Sequence, residues 1–164
     1  MSRPAVEKIL SAQSLRSKLD RIGTEKRIVF TNGCFDVLHP GHIYCLMEAS
    51  LRGDFLIVGI NSDDSVRRLK GANRPIISED ERALMLAALA CVDAVVIFEE
   101  DTPVSLIRLL RPDIHIKGGD YAEKQIPERE EVESYGGKVE FVELRPGWST
   151  TSFLKRLHRL LPSE

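Results

Sequence analysis

Five short apolar runs, each followed by a stretch with helical spacing, restrict the fold of this chain more than any other feature. They are residues 27–31 (Arg27-Ile28-Val29-Phe30-Thr31), 55–60, 94–98, 114–117 and 139–144. Strands that read as unbroken apolar stretches are buried on both faces, and strands that alternate with helices are joined by crossovers. The pattern therefore predicts a five-stranded parallel sheet with helices on both faces, a small doubly wound α/β fold. Helix signals agree. Ser78 with Glu81 forms a capping box for a helix to about residue 90. Pro40 suits the first position of a helix that stops near Gly53, with His39 as its N-cap. A short helix to Leu69, and others over 103–110, around 128–135 and over 151–161, complete the alternation. Before the first strand, Val6, Ile9, Leu10, Leu15, Leu19 and Ile22 are spaced for one helix or two short ones, stopped at Gly23. We expect an N-terminal helical extension over 1–24 and a single domain over 25–164.

Composition narrows the function. With 164 residues, 43% of them hydrophobic, the chain can bury a full core. Its 23 basic and 25 acidic residues leave a net charge of −2, so neither nucleic acid nor an anionic membrane is expected as a main partner. Any bound anion must be held by a local arrangement. Cys34, Cys45 and Cys91 form no C-x-x-C pair, which argues against a disulfide framework or zinc knuckle and fits a reducing cytosol. Residues 1–10 hold no apolar signal core, and the longest apolar run, 83–92, is too short to span a bilayer. A cytoplasmic protein acting on small molecules is expected.

Ligands of a doubly wound sheet bind beyond the carboxyl ends of its strands, at the switch point of strand order. The loop in question after the first strand reads Asn32-Gly33-Cys34-Phe35-Asp36-Val37-Leu38-His39-Pro40-Gly41-His42. It matches neither common glycine-rich phosphate loop. Instead it offers a helix N-terminus, whose unpaired N–H groups and partial positive charge suit a phosphate. Gly41 lets a phosphate approach the backbone, and His39 and His42 can both aim ring N–H groups at it. The helix dipole is expected to keep both rings neutral until an anion arrives. Simpler readings stay open: either histidine alone suits a cap or a surface position, and Asp36, His39 and His42 could be three metal ligands lacking a fourth. Cys34, beside the same helix end, is expected to have a lowered pKa but to line the site rather than act as a nucleophile.

In this loop the chain resembles the cytidylyltransferase-like nucleotidyltransferases, whose signature is H-x-G-H after the first strand. The flanking segments 70–75, 99–103, 117–121 and 149–151 resemble the bacterial branch of that family that adenylylates heptose 1-phosphates. The resemblance implies a Rossmann-like fold and transfer of AMP from ATP to D-glycero-β-D-manno-heptose 1-phosphate, giving ADP-heptose and pyrophosphate for lipopolysaccharide core synthesis. It implies Mg²⁺ held mainly by the nucleotide phosphates, a homodimer, and a stand-alone form without the sugar kinase often fused to such domains. It further implies His39, His42 and Lys70 as catalytic residues. Gly33, Cys34, Phe35, Gly41, Lys117, Gly119, Asp120, Ser149, Thr150 and Thr151 would bind nucleotide, the three hydroxyls gripping the β- and γ-phosphates. Asn32, Asp36, Arg74 and Arg82 would bind substrate.

Each of these has a plainer alternative. Ser149 can be a helix cap, residues 117–120 a turn, and Arg82 a surface residue of its helix; Asp36 can meet the acceptor or orient its loop. Pro75 biases the Lys70–Arg74 segment toward an extended loop able to close over phosphates. Arg145 stands two residues before Gly147, where cytidine-specific relatives often have an arginine three before. A glycerol 3-phosphate cytidylyltransferase or an FMN adenylyltransferase would keep the same motifs, and a non-catalytic nucleotide-binding module would keep the fold.

Overall fold

The computed structural model describes residues 4–118 and 126–143, together with Phe153, Arg159 and Leu160. A 3-10 turn at Ala5–Lys8 precedes α1 (Ala12–Ile22), β1 (Ile28–Gly33), α2 (Pro40–Ser50), β2 (Phe55–Asn61), α3 (Asp63–Lys70) and α4 (Glu79–Ala87). Then come β3 (Ala94–Phe98), α5 (Val104–Leu110), β4 (Ile114–Gly118), α6 (Arg129–Ser134) and β5 (Lys138–Val142). The strands form one sheet in the order β3-β2-β1-β4-β5, and every pairing is parallel. All five expected strands are present. The expected last helix falls mostly outside the described residues, although Phe153, Arg159 and Leu160 are helical.

Alternation along the strands builds two cores. Val29, Leu56, Val58 and Ile60 pack against Leu46 and Ala49 of α2 and Ala83, Leu86 and Ala87 of α4. Phe30, Ile57 and Val96 face the other way, against Leu15 and Leu19 of α1, Leu106, Ile107 and Leu110 of α5, and Val132 of α6. Both faces of the sheet are thus covered, which is why β1, β2 and β3 are apolar over most of their length. Gly59 has no side chain because Phe30 fills that space: a Cβ there would lie 2.8 Å from the Phe30 ring.

The N-terminal segment is not one continuous helix. Ser11 caps α1, its side chain accepting from Ser14 N, and Ile9 and Leu10 are extended instead. Ile9 bridges Val95 in parallel and Leu10 N–H donates to Val95 O at 2.9 Å, so this segment lines the free edge of β3. The strand order reverses direction between β1 and β4, which places the switch point at the carboxyl ends of those two strands.

Candidate active site

β1 ends at Gly33, and the chain turns sharply to reach α2. Phe35 adopts a left-handed φ of 48° in that turn, and Gly33 leaves room for its ring, since a Cβ would sit 3.2 Å from it. Pro40 opens α2 with no N–H of its own, and no side chain caps the helix. His39 and His42 stack face to face, ring centroids 3.7 Å apart and 20° from parallel, with Phe35 tilted against His42 at 5.1 Å. Nδ1 of each histidine is buried without a partner among the described residues.

Both rings are held neutral, as expected at this helix end. Burial lowers the pKa of His39, and burial followed by the neighbouring His39 takes that of His42 down to about 4. Desolvation thus adds a cause that the sequence did not show. The Cys34 expectation is reversed. Burial raises its pKa, outweighing the nearby cations Lys70, Arg82 and Arg74, so its thiol, 3.9 Å from Asn61 Oδ1, is a poor thiolate.

Asp36 orients a loop. It is 2% exposed, pairs with Arg74 Nε, and accepts the Ile76 and Ile77 N–H groups at 2.7 and 3.0 Å. Its carboxylate therefore anchors the 71–78 connection over the site, and the Arg74–Pro75 peptide within it is cis. With Asp36 engaged in this way, the three-ligand metal reading finds no carboxylate to spare. No group of His, Cys, Asp and Glu among the described residues is arranged to hold a metal.

Arg82 is not a surface residue of its helix. It is 0% exposed, and its guanidinium donates to Ile77 O, Cys34 O and Asn61 O at 2.9, 2.6 and 2.9 Å and to Asp63 Oδ1 at 2.7 Å. Full burial places it behind the loop, where it ties β2, the Cys34 turn and α4 together. A buried arginine is tolerable only when matched this completely. Lys70, by contrast, ends α3 exposed, with no hydrogen-bond or ion-pair partner among the described residues. Its neighbours are engaged: Arg67 with Asp64, Arg68 with Asp101.

At the switch point itself, Lys117 Nζ donates to Asn32 Oδ1 at 2.9 Å and to Glu128 Oε1 at 3.0 Å, while His115 Nε2 lies 3.1 Å from the same Asn32 oxygen. His115 and Glu128 escaped sequence reasoning. The available signal was a histidine set between Ile114 and Ile116 in an apolar run, where it must be buried. Gly119, Asp120, Arg145, Ser149, Thr150 and Thr151 lie outside the described residues, and Gly41 is buried at the start of α2.

A neutral histidine pair at an open helix end and at the carboxyl edge of a parallel sheet, with Lys70 near enough to act on Cys34 and unpaired among the described residues, suits a polyphosphate. Comparison with known proteins agrees: the cytidylyltransferase-like family model matches residues 30–160. This chain belongs to the cytidylyltransferase-like family. Among curated relatives, the bifunctional protein HldE of Syntrophotalea carbinolica is 54% identical over 153 residues, which is 92% of this chain and 31% of that protein. The HldE of Helicobacter pylori is 48% identical over 93% of this chain and 31% of that protein. The chain thus spans about a third of the length of these relatives. Among solved structures, a lipopolysaccharide core biosynthesis protein from Thermoplasma volcanium superposes with a TM-score of 0.59 at 28% identity, over 73% of this chain and 97% of that one. A pantoate-beta-alanine ligase from Francisella tularensis, at 15% identity and a TM-score of 0.62 over 90% of this chain and 72% of that one, shares the fold. Among the described residues no helix is long and apolar enough to cross a membrane.

Proposed function

We propose that this chain transfers AMP from ATP to a heptose 1-phosphate, D-glycero-β-D-manno-heptose 1-phosphate in our reading, releasing ADP-heptose and pyrophosphate. The observation that carries nucleotidyl transfer is the stacked, neutral His39–His42 pair at the uncapped N-terminus of α2. The sugar phosphate as acceptor is supported by the sequence resemblance and by the match to 97% of a lipopolysaccharide core biosynthesis protein.

A sugar 1-phosphate is already a nucleophile at neutral pH, so the reaction needs no general base. One of its phosphate oxygens attacks the α-phosphorus of ATP in line. A new P–O bond forms, the bond from Pα to the bridging oxygen breaks, and the electron pair leaves with pyrophosphate. The obstacle is the approach of two anions, so catalysis reduces to positioning and charge stabilisation. Neutral imidazoles donate to the α-phosphate and bridging oxygens without a fixed charge that would trap the product. Lys70, a cation without a partner among the described residues, meets charge that builds in the transition state, while Asp36 and Arg82 hold the surrounding loop in place. Ser149, Thr150 and Thr151 would grip the leaving pyrophosphate. Mg²⁺, which ATP would carry on its own phosphate oxygens, would supply further neutralisation of the phosphate charge.

The test is pyrophosphate release from a panel of nucleotides crossed with phosphorylated acceptors. ATP with heptose 1-phosphate is expected to give ADP-heptose and pyrophosphate in equal amounts. Release only with CTP and glycerol 3-phosphate, or only with FMN, would overturn the acceptor; release from no pair would leave a nucleotide-binding module. A homodimer in the cytosol belongs to the same reading, and sedimentation equilibrium at twice the protomer mass checks the dimer.

A further inference from the structure

Strands alternate their side chains between faces, so Asn32 shares the face of Phe30, and His115, whose ring lies 5.3 Å from that of Phe30, shares it with Lys117. This is the α1–α5–α6 side of the sheet, whereas α2 packs on the opposite face. The Asn32–His115–Lys117–Glu128 corner is therefore set apart from the phosphate grip.

Its hydrogen bonds fix the orientation of one amide. An ammonium only donates, so the atom that Lys117 meets at 2.9 Å must be the Asn32 carbonyl oxygen. The same oxygen, 3.1 Å from His115 Nε2, requires that nitrogen to carry the proton. The Asn32 amide nitrogen is then presented at the carboxyl edge of β1, partly exposed and with no acceptor among the described residues. Glu128 balances the charge of Lys117 at 3.0 Å, so among the described residues the corner offers a donor but no net charge. A phosphate gains little from such a corner, whereas a hydroxyl oxygen is matched by it. His115 is costly in that place. It is 0% exposed, and its Nδ1 has no partner among the described residues, so an apolar side chain would be easier to bury. What the imidazole adds is the second bond to Asn32.

We infer that the Asn32 amide donates to a hydroxyl oxygen of a carbohydrate ring in the bound substrates, with His115 and Lys117 as positioning residues that lock the amide. The inference rests on the reading of this chain as a nucleotidyltransferase acting on a sugar phosphate. Two rings carry the required chemistry: the sugar of the acceptor and the ribose of the nucleotide.

Asn32→Asp keeps an oxygen for Lys117 and His115 but removes the donor. In steady-state pyrophosphate release, the KM of one substrate is expected to rise about tenfold, with kcat within about twofold. A rise for the sugar phosphate assigns the acceptor ring. A rise for ATP that disappears with 2′- or 3′-deoxy-ATP assigns the ribose. His115→Leu is expected to melt no lower than the parent and to raise the same KM several-fold. It adds nothing in the Asn32→Asp background, and His115→Gln, which retains a donor, restores part of the loss. Unchanged KM values in Asn32→Asp, a fall in kcat alone, or additive effects of the two substitutions would overturn the inference. An inactive parent would instead sink the reading of the reaction, and this inference with it.

Discussion

His42 and His115 each carry a stability signature that pH can read. Burial holds them neutral down to about pH 4 and about pH 3, whereas an unfolded imidazole titrates near 6.5. Below pH 6.5 the unfolded chain therefore binds more protons than the folded one. Their contribution is complete above 6.5 and is lost as the pH falls toward 4. Urea midpoints of the ligand-free protein are expected to drop steadily between pH 6.5 and 4.5, and His115→Leu should flatten that slope; an unchanged slope would show that His115 does not titrate on unfolding. His42→Ala should lower kcat by about 10²–10³ while leaving the melting temperature within a few degrees. Rapid-quench turnover together with thermal melts separates the two effects, and unaltered turnover would remove His42 from the mechanism.

At the scale of elements, aspartates just before strands hold the sheet in register. Asp54 accepts from Arg27 N and Asp93 from Leu56 N, both at 2.9 Å, and Asp113 from Ile28 N at 2.6 Å, each reaching a neighbouring strand or its lead-in. Asp113→Ala is expected to destabilise by about 1–2 kcal/mol in denaturant titration, because it strands an N–H at the start of the central strand. Arg82 joins three further segments. Arg82→Met leaves the Cys34, Asn61 and Ile77 carbonyls and the Asp63 carboxylate unmatched, and a loss of about 3–5 kcal/mol is expected. A variant that melted like the parent would show that the loop holds itself.

For the molecule as a whole, the sheet has two edges, β3 and β5, and the N-terminal segment lies along the β3 edge. Leu10→Pro deletes the N–H that donates to Val95 O at 2.9 Å, so a loss of about 1 kcal/mol and more light scattering on heating are expected. The alternation of apolar runs and helices was legible because a buried parallel strand admits no polar face, and β3 was read to the residue at Ala94–Phe98. The break at Ile9–Leu10 was not, because extended backbone there depends on Val95, far away in the chain. The loop Asn32–His42 declared its chemistry locally, since the glycines, the proline and the paired histidines act through backbone geometry within one turn. Local sequence thus determined the strand pattern, the open helix end and the histidine pair beside it. Tertiary structure decided the rest: that Arg82 is buried while Lys70 is exposed, that Asp36 binds its own loop, and that Asn32 is held by His115 and Lys117. These depend on which charges meet across the sheet, and pairing between distant residues leaves no local trace in a sequence.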